Sequence, residues 1–209
     1  MNINEYIKIA VSLLVVINPL GNIPIYLSMT SSEKPQEMKR ISFIICVTIA
    51  LVLVTAVLFG EGILQFFGIS IDAFRVGAGI LILLIAISML HGRMSKSKHT
   101  DEEAEEAEKK DSIAVVPLGI PIMAGPGAIS TAIVYSNLYG GLVHKVVLAI
   151  MVLVIALLTW VLLQASTKVG EVLGKTGINI ASRIMGLILA AIAVEFMVEG
   201  LMVLFPGLA

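Results

Sequence analysis

The sequence predicts an all-α integral membrane protein: six transmembrane helices forming two inverted three-helix repeats, with the first helix of each half broken. Three observations predict it. Of 209 residues, 58% are hydrophobic and only 14% charged, whereas soluble domains average about a quarter charged. The apolar excess falls in runs of about 20 residues, long enough to cross about 30 Å of hydrocarbon. A proline- and glycine-rich motif also occurs twice, as PLGNIPI at 19–25 and PLGIPI at 117–122.

Hydropathy places the spans at 4–29, 40–59, 73–91, 113–137, 143–166 and 181–204. The first lacks a small-x-small cleavage site and runs into INPLGNIPIYL, so it reads as a retained span rather than a signal peptide. The second holds Cys46, the single cysteine, which excludes an intramolecular disulfide and reads as a packing residue. The third opens at Arg75. The stretch HGRMSKSKHTDEEAEEAEKKDS, 91–112, is charged throughout, with Thr100 and Glu103 spaced as a capping box over a short solvated helix at 101–110. Only SIAVV separates it from the second motif, so the fourth span is expected to enter as a re-entrant half-helix. The sixth opens at Arg183, and ILILLIAI at 80–87 parallels LILAAIAV at 187–194. The organisation is therefore a first repeat over 1–91, a charged cytoplasmic linker over 92–112 and a second, inverted repeat over 113–209. GEVLG at 170–174 has helix-association spacing but sits at a span end.

Lysine and arginine set the orientation. The loops after spans 1, 3 and 5 hold Lys34, Lys39, Arg40, Arg93, Lys96, Lys98, Lys109, Lys110, Lys168, Lys175 and Arg183; the other face has Lys8, Arg75 and Lys145. By the positive-inside rule the richer face is cytoplasmic and both termini lie outside.

A proline inside a helix costs about 3 kcal/mol, and backbone left unpaired in hydrocarbon costs more. Such a break is tolerated only where protein or a water-lined cavity covers it. Two matching breaks in inverted halves are the sequence signature of a transporter's substrate site. Pro19, Gly21, Asn18 and Asn22 form the first; Gly119, Gly125, Gly127 and Ala128, with Ser130 and Thr131, form the second. An ordinary proline kink is the competing reading of either break alone.

NPLGNIPIYLSMT together with VPLGIPIMAGPGAIST resembles the paired signatures of the MarC family, which includes small neutral amino-acid transporters of the SnatA type. The resemblance covers the whole chain. It implies a multi-pass transporter of the prokaryotic cytoplasmic (inner) membrane, related to LysE-type exporters, moving glycine, alanine and similar amino acids.

A zwitterionic amino acid needs donors for its carboxylate. Amides near Gly127 and Ala128, with the Ser130 or Thr131 hydroxyl, would supply them at the start of a half-helix; those hydroxyls bonding their own helix is the alternative. The ammonium needs acceptors, which carbonyls around Asn18–Gly21 and the Asn18 and Asn22 side chains would provide. Glu195 and Glu199 are the intramembrane carboxylates suited to carry a coupling proton. Arg75 and Arg183 read as snorkelling anchors or as gate residues, with Asp72 the partner of Arg75. A channel or facilitator for small polar solutes is the alternative function.

Enzyme signatures are absent: no HExxH, GxSxG or Walker loop occurs. His91, His99 and His144 are dispersed, and the acids, Glu61 included, form no ligand-spaced cluster, so no metal and no cofactor is expected beyond a coupling proton or sodium ion. A net charge of −1 without a basic patch gives no sign of nucleic acid. The expected partners are the substrate, the lipid bilayer and, in a homo-oligomer, a second copy of the chain.

Overall fold

The computed structural model describes residues 3–30, 33–91, 123–138 and 141–208. The described residues are helical, with no strand. α1 (Ile3–Ile17) and α2 (Pro19–Met29) form one broken span. α3 (Pro35–Phe66), α4 (Ile71–Leu90), α5 (Pro126–Asn137), α6 (Leu142–Gln164) and α7 (Ser166–Leu204) follow, and a short 3-10 turn closes the chain at Pro206–Leu208. Among the described residues, five segments are long and apolar enough to cross a membrane: Ile3–Ser28, Pro35–Phe66, Ile71–Leu90, Leu142–Gln164 and Thr176–Leu204.

Local chemistry sets the ends. Pro35 at N1 starts α3, where a missing N–H costs nothing. Gly68, at φ 67°, ends α3, and the Ser70 hydroxyl caps α4 by accepting from the Ala73 amide at 3.2 Å. The second span is longer than hydropathy placed it, because residues 35–39 and 60–66 continue the helix beyond both ends of the apolar run. Gly174, at φ 59°, interrupts α7, so the sixth span starts near Thr176 rather than 181. The linker at 92–112, the possible helix at 101–110, the start of the fourth span and Pro117, Gly119 and Pro121 lie outside the described residues.

Large apolar side chains divide into two populations. Leu13, Ile17, Ile45, Ile49, Leu53, Ile82 and Leu148 are buried in a shared core. Leu51, Phe59, Leu84, Leu153, Leu157 and Leu187 point outward, as hydrocarbon rather than water would favour.

Two antiparallel seams organise the bundle. Along α3 and α6, Lys145 pairs with Glu61 at 2.8 Å at one end, and Gln164 donates to the Ser42 hydroxyl at 3.0 Å at the other. Along α4 and α7 the contact is backbone to backbone. A Cβ on Gly79 would stand 2.8 Å from the Ala193 carbonyl, one on Gly186 3.2 Å from that of Ala86, and one on Gly200 2.8 Å from that of Asp72. The positions on each helix are seven residues apart, the spacing that keeps one stripe facing a partner. Small residues at such a seam let helices approach where no water drives them together.

The seam predicts opposite outcomes on one helix. Gly200→Ala and Gly79→Ala each destabilise the purified protein by about 1–3 kcal/mol, the cost of overpacking. Gly77→Ala, with nothing within 4 Å of the new methyl, is neutral or stabilising by up to about 1 kcal/mol through helix propensity. Thermal unfolding midpoints in detergent compare the three.

Candidate functional site

The first break is a single residue. Pro19 has no N–H to give the Val15 carbonyl, and Asn18 adopts the left-handed conformation, φ 51° and ψ 58°. Asparagine visits that region more readily than other residues with a side chain. Its Oδ1 then caps α2 by accepting from the Gly21 amide at 3.2 Å, while Nδ2 lies 3.9 Å from Met89 Sδ. Glycine at 21 leaves room for this cap, because a Cβ there would stand 2.3 Å from Asn18 Nδ2 and displace the Asn18 side chain.

Two of the expected ammonium acceptors already take part in bonds within the chain. The chain resumes as helix at Pro19, so the Asn18 carbonyl is already bonded to the Asn22 amide at 3.2 Å and the Asn18 side-chain oxygen is committed to its cap. The carbonyls deprived of a donor are those of Val15 and Leu20, four residues before Pro19 and Pro24. Asn22 donates Nδ2 to the Ile17 carbonyl at 3.0 Å. Its Oδ1 is fully buried with no partner among the described residues. Buried acceptors rarely go unpaired, so Asn22 Oδ1 is an acceptor held ready.

The second break presents donors. Gly125 precedes α5 and Pro126 occupies N1, with no side chain capping the helix. The Ile129 amide bonds the Gly125 carbonyl at 3.0 Å, whereas the Gly127 and Ala128 amides have no acceptor among the described residues. They sit at the positive end of α5, a ready anion site. The Ser130 and Thr131 hydroxyls, expected to join them, do not face outward from the helix. Ser130 donates back to the Pro126 and Gly127 carbonyls at 2.7 and 3.1 Å, and Thr131 to that of Gly127 at 2.7 Å. Serine and threonine satisfy themselves this way where water is scarce.

α4 brings the breaks together. A Cβ on Gly127 would meet Ile85 Cδ1 at 2.9 Å and Val16 Cγ1 at 3.5 Å, and Asn18 lies against Met89, one turn along from Ile85. The breaks therefore lie about 6 Å apart along α4. Asn18, Asn22, Ala128, Ser130 and Thr131 are all buried, as are Met89 and Met123. Two buried breaks thus converge on α4, one presenting amides at the head of α5 and the other an orphan amide oxygen on α2.

The charged residues fall elsewhere. Arg75 pairs with Glu199 on α7, not with Asp72, because its side chain crosses to Phe196, whose ring centroid lies 5.7 Å from the guanidinium carbon. Asp72 instead sits in the first turn of α4, where a negative charge suits the helix dipole. Glu199 is thus tied to a cation. Glu195 is exposed on α7, within electrostatic range of the Tyr135 hydroxyl. Arg183 is exposed and makes no ion pair with a described residue, as a snorkelling anchor would. Among the described residues no group of histidine, cysteine, aspartate or glutamate is placed to hold a metal.

Sequence reasoning passed over Tyr135, Ser12 and Tyr6, and read His144 only as one of three dispersed histidines, whereas it is buried. The Tyr135 hydroxyl donates to Ser12 Oγ at 3.0 Å, and His144 Nε2 lies 2.8 Å from the Tyr135 carbonyl. Tyr135 lies eight residues past Gly127 and so on its helical stripe, a register visible in the sequence once α5 is known to start at Pro126.

Comparison with known proteins places the chain. A family model described as MarC family integral membrane protein matches residues 3–205. UPF0056 membrane protein BU267 of Buchnera aphidicola is 40% identical over 207 residues, 99% of this chain and 96% of the relative. UPF0056 membrane protein YhcE of Escherichia coli is 39% identical over 203 residues, covering 97% and 94%. UPF0056 membrane protein MJ1677 of Methanocaldococcus jannaschii is 35% identical over 201 residues, covering 96% and 98%. No solved structure matches.

The geometry separates two kinds of polar residue here. Asn18→Ala, which removes both the cap and the tolerance of a left-handed turn, costs about 1–2 kcal/mol of stability. Thr131→Val, which keeps the shape and removes a hydroxyl bonded within its own helix, costs less than about 1 kcal/mol. Unfolding midpoints of the purified variants test the contrast.

Proposed function

The chain belongs to the MarC family of integral membrane proteins, and from that footing we propose that it is a secondary transporter of small neutral amino acids in the cytoplasmic membrane. The observation that carries the reading is the convergence of the two breaks on α4: buried donors at Gly127 and Ala128 in one, and a buried, unpartnered Asn22 Oδ1 in the other. A zwitterion carries one group for each end. Its carboxylate takes the α5 amides, and its ammonium takes Asn22 Oδ1 with the Val15 and Leu20 carbonyls. Little volume separates Gly127 from Ile85 and Val16, which favours a glycine- or alanine-sized side chain.

Alternating access suits this arrangement. Aligning 80–87 with 187–194 matches Gly79 to Gly186 and Ala86 to Ala193. Exchanging the halves then turns the Gly79–Ala193 contact into the Gly186–Ala86 contact. That exchange supports two inverted repeats about an axis between α4 and α7, with the pocket free to open to either side. The lysine and arginine bias puts the 67–70 turn outside, along with both termini. Glu195, not committed to Arg75, is the carboxylate we assign to proton coupling.

Saturable counterflow of glycine or alanine in proteoliposomes tests the reading. Flux linear in concentration and without exchange would identify a channel instead. Asn22→Ala lowers apparent affinity about ten- to a hundred-fold, the range for losing a hydrogen bond to a charged group, while the protein stays folded in the membrane. Glu195→Gln flattens the pH profile of uptake; an unchanged profile removes Glu195 from coupling.

A further inference from the structure

Gly127, Thr131 and Tyr135 repeat every four residues along α5 and so share one stripe. Val16 and Ser12 do the same on α1. Val16 stands beside Gly127 at the pocket. One turn along α1 from Val16, about 6 Å toward the 67–70 end, the Tyr135 hydroxyl donates to Ser12 Oγ at 3.0 Å. The seam between α1 and α5 thus leads from that end straight to the paired breaks, and one side-chain hydrogen bond crosses it.

Tyr135 is held from several sides. Its ring meets Phe196 edge-on, centroids 5.2 Å apart, and Arg75 lies over the Phe196 ring while pairing with Glu199. His144 Nε2 must donate to the Tyr135 carbonyl, so Nδ1 is left to accept from the Tyr6 hydroxyl, 3.3 Å away. The opposite end is closed by different groups: the Tyr26 hydroxyl donates to the Met38 carbonyl at 2.7 Å, near the Gln164–Ser42 bond. Both closures are made by side chains. The α4–α7 seam, by contrast, is backbone in contact with backbone.

We propose that Tyr135 is the outer gate of the substrate path, its hydrogen bond to Ser12 closing the α1–α5 seam above the paired breaks. The assignment rests on the transporter reading for what passes the gate and for which side is outside. Breaking the Tyr135–Ser12 bond frees α5 to swing from α1 while the α4–α7 seam stays fixed. The pocket then opens outward without any change to the Asn22 or Gly127 groups. Tyr135 positions the path and does not itself need to touch the substrate.

The test uses the full chain in membrane vesicles, with Cys46→Ser removing the native thiol and Ala128→Cys placing a reporter in the pocket. A membrane-impermeant methanethiosulfonate is applied to each face in turn. Tyr135→Phe and Ser12→Ala each speed labelling from the outer face about five-fold, the factor expected when one hydrogen bond stops holding a closed state. The double variant goes no faster than either single one, because both remove the same bond. Tyr26→Phe leaves the outer rate unchanged. Equal outer rates in the parent and both single variants, whether fast or undetectable, overturn the gate. Ser12→Ala keeps the test alive if Tyr135→Phe proves unstable. Labelling needs no substrate, so a missing amino-acid flux in the unsubstituted protein would count against the transporter reading alone.

Discussion

Backbone N–H and C=O groups inside hydrocarbon have no water to turn to, and the rest of this structure follows from that constraint. Long uninterrupted helices, α3, α4 and α6, meet it by internal bonding and can face lipid along one side. The two segments that do not meet it, around Asn18 and before Pro126, are confined to the interior. Asn18 answers part of the deficit with its own side chain, and Asn22 answers another part through the Ile17 carbonyl. What is left over, the α5 amides and Asn22 Oδ1, belongs to the two breaks that converge on α4. Polarity inside a membrane is costly, and the proposed substrate would offset that cost.

The bundle combines a stiff seam with soft ones. Glycines at 79, 186 and 200 draw α4 and α7 into backbone contact, where any added methyl collides with a carbonyl. Packing of that kind resists sliding. The contacts of α1 and α2 with their neighbours are instead bridged by tyrosine hydroxyls, at Ser12 and at Met38. A hydrogen bond can be exchanged for another at little net cost. The broken helices lie on the hydrogen-bonded side of that division, where the proposed opening would take place.

Much of this was legible in the residues. The apolar runs, the doubled PLG motif and the matched third and sixth spans point to a helical membrane protein with interior breaks, and the family resemblance agrees with the match over 3–205. The extent of the first break was not legible. Five helix-disfavouring residues between 18 and 24 suggest an unwound stretch, yet proline is at home at N1 and a single asparagine in the left-handed region is enough to redirect the chain. The hydroxyls of Ser130 and Thr131 looked available because composition cannot tell whether a carbonyl four residues back is already in reach. Arg75 was paired with Asp72 by helical spacing, but spacing on one helix says nothing about Glu199 on another. The glycine stripe was hidden for the same reason: its seven-residue register has meaning only once α4 and α7 are known to be antiparallel neighbours.

The central claim is that the two breaks, more than a hundred residues apart in sequence, meet in the folded chain. Disulfide formation between Val16→Cys and Gly127→Cys, in a protein carrying Cys46→Ser, tests this most directly, since a Gly127 Cβ would lie 3.5 Å from Val16 Cγ1, within bridging geometry. The account predicts rapid intramolecular cross-linking on mild oxidation in the membrane, visible as a shift in gel mobility that a reductant reverses. Failure of that pair to link, while Gly60→Cys and Ile133→Cys, whose side chains would meet directly, link readily under the same oxidation, would show that the breaks do not meet.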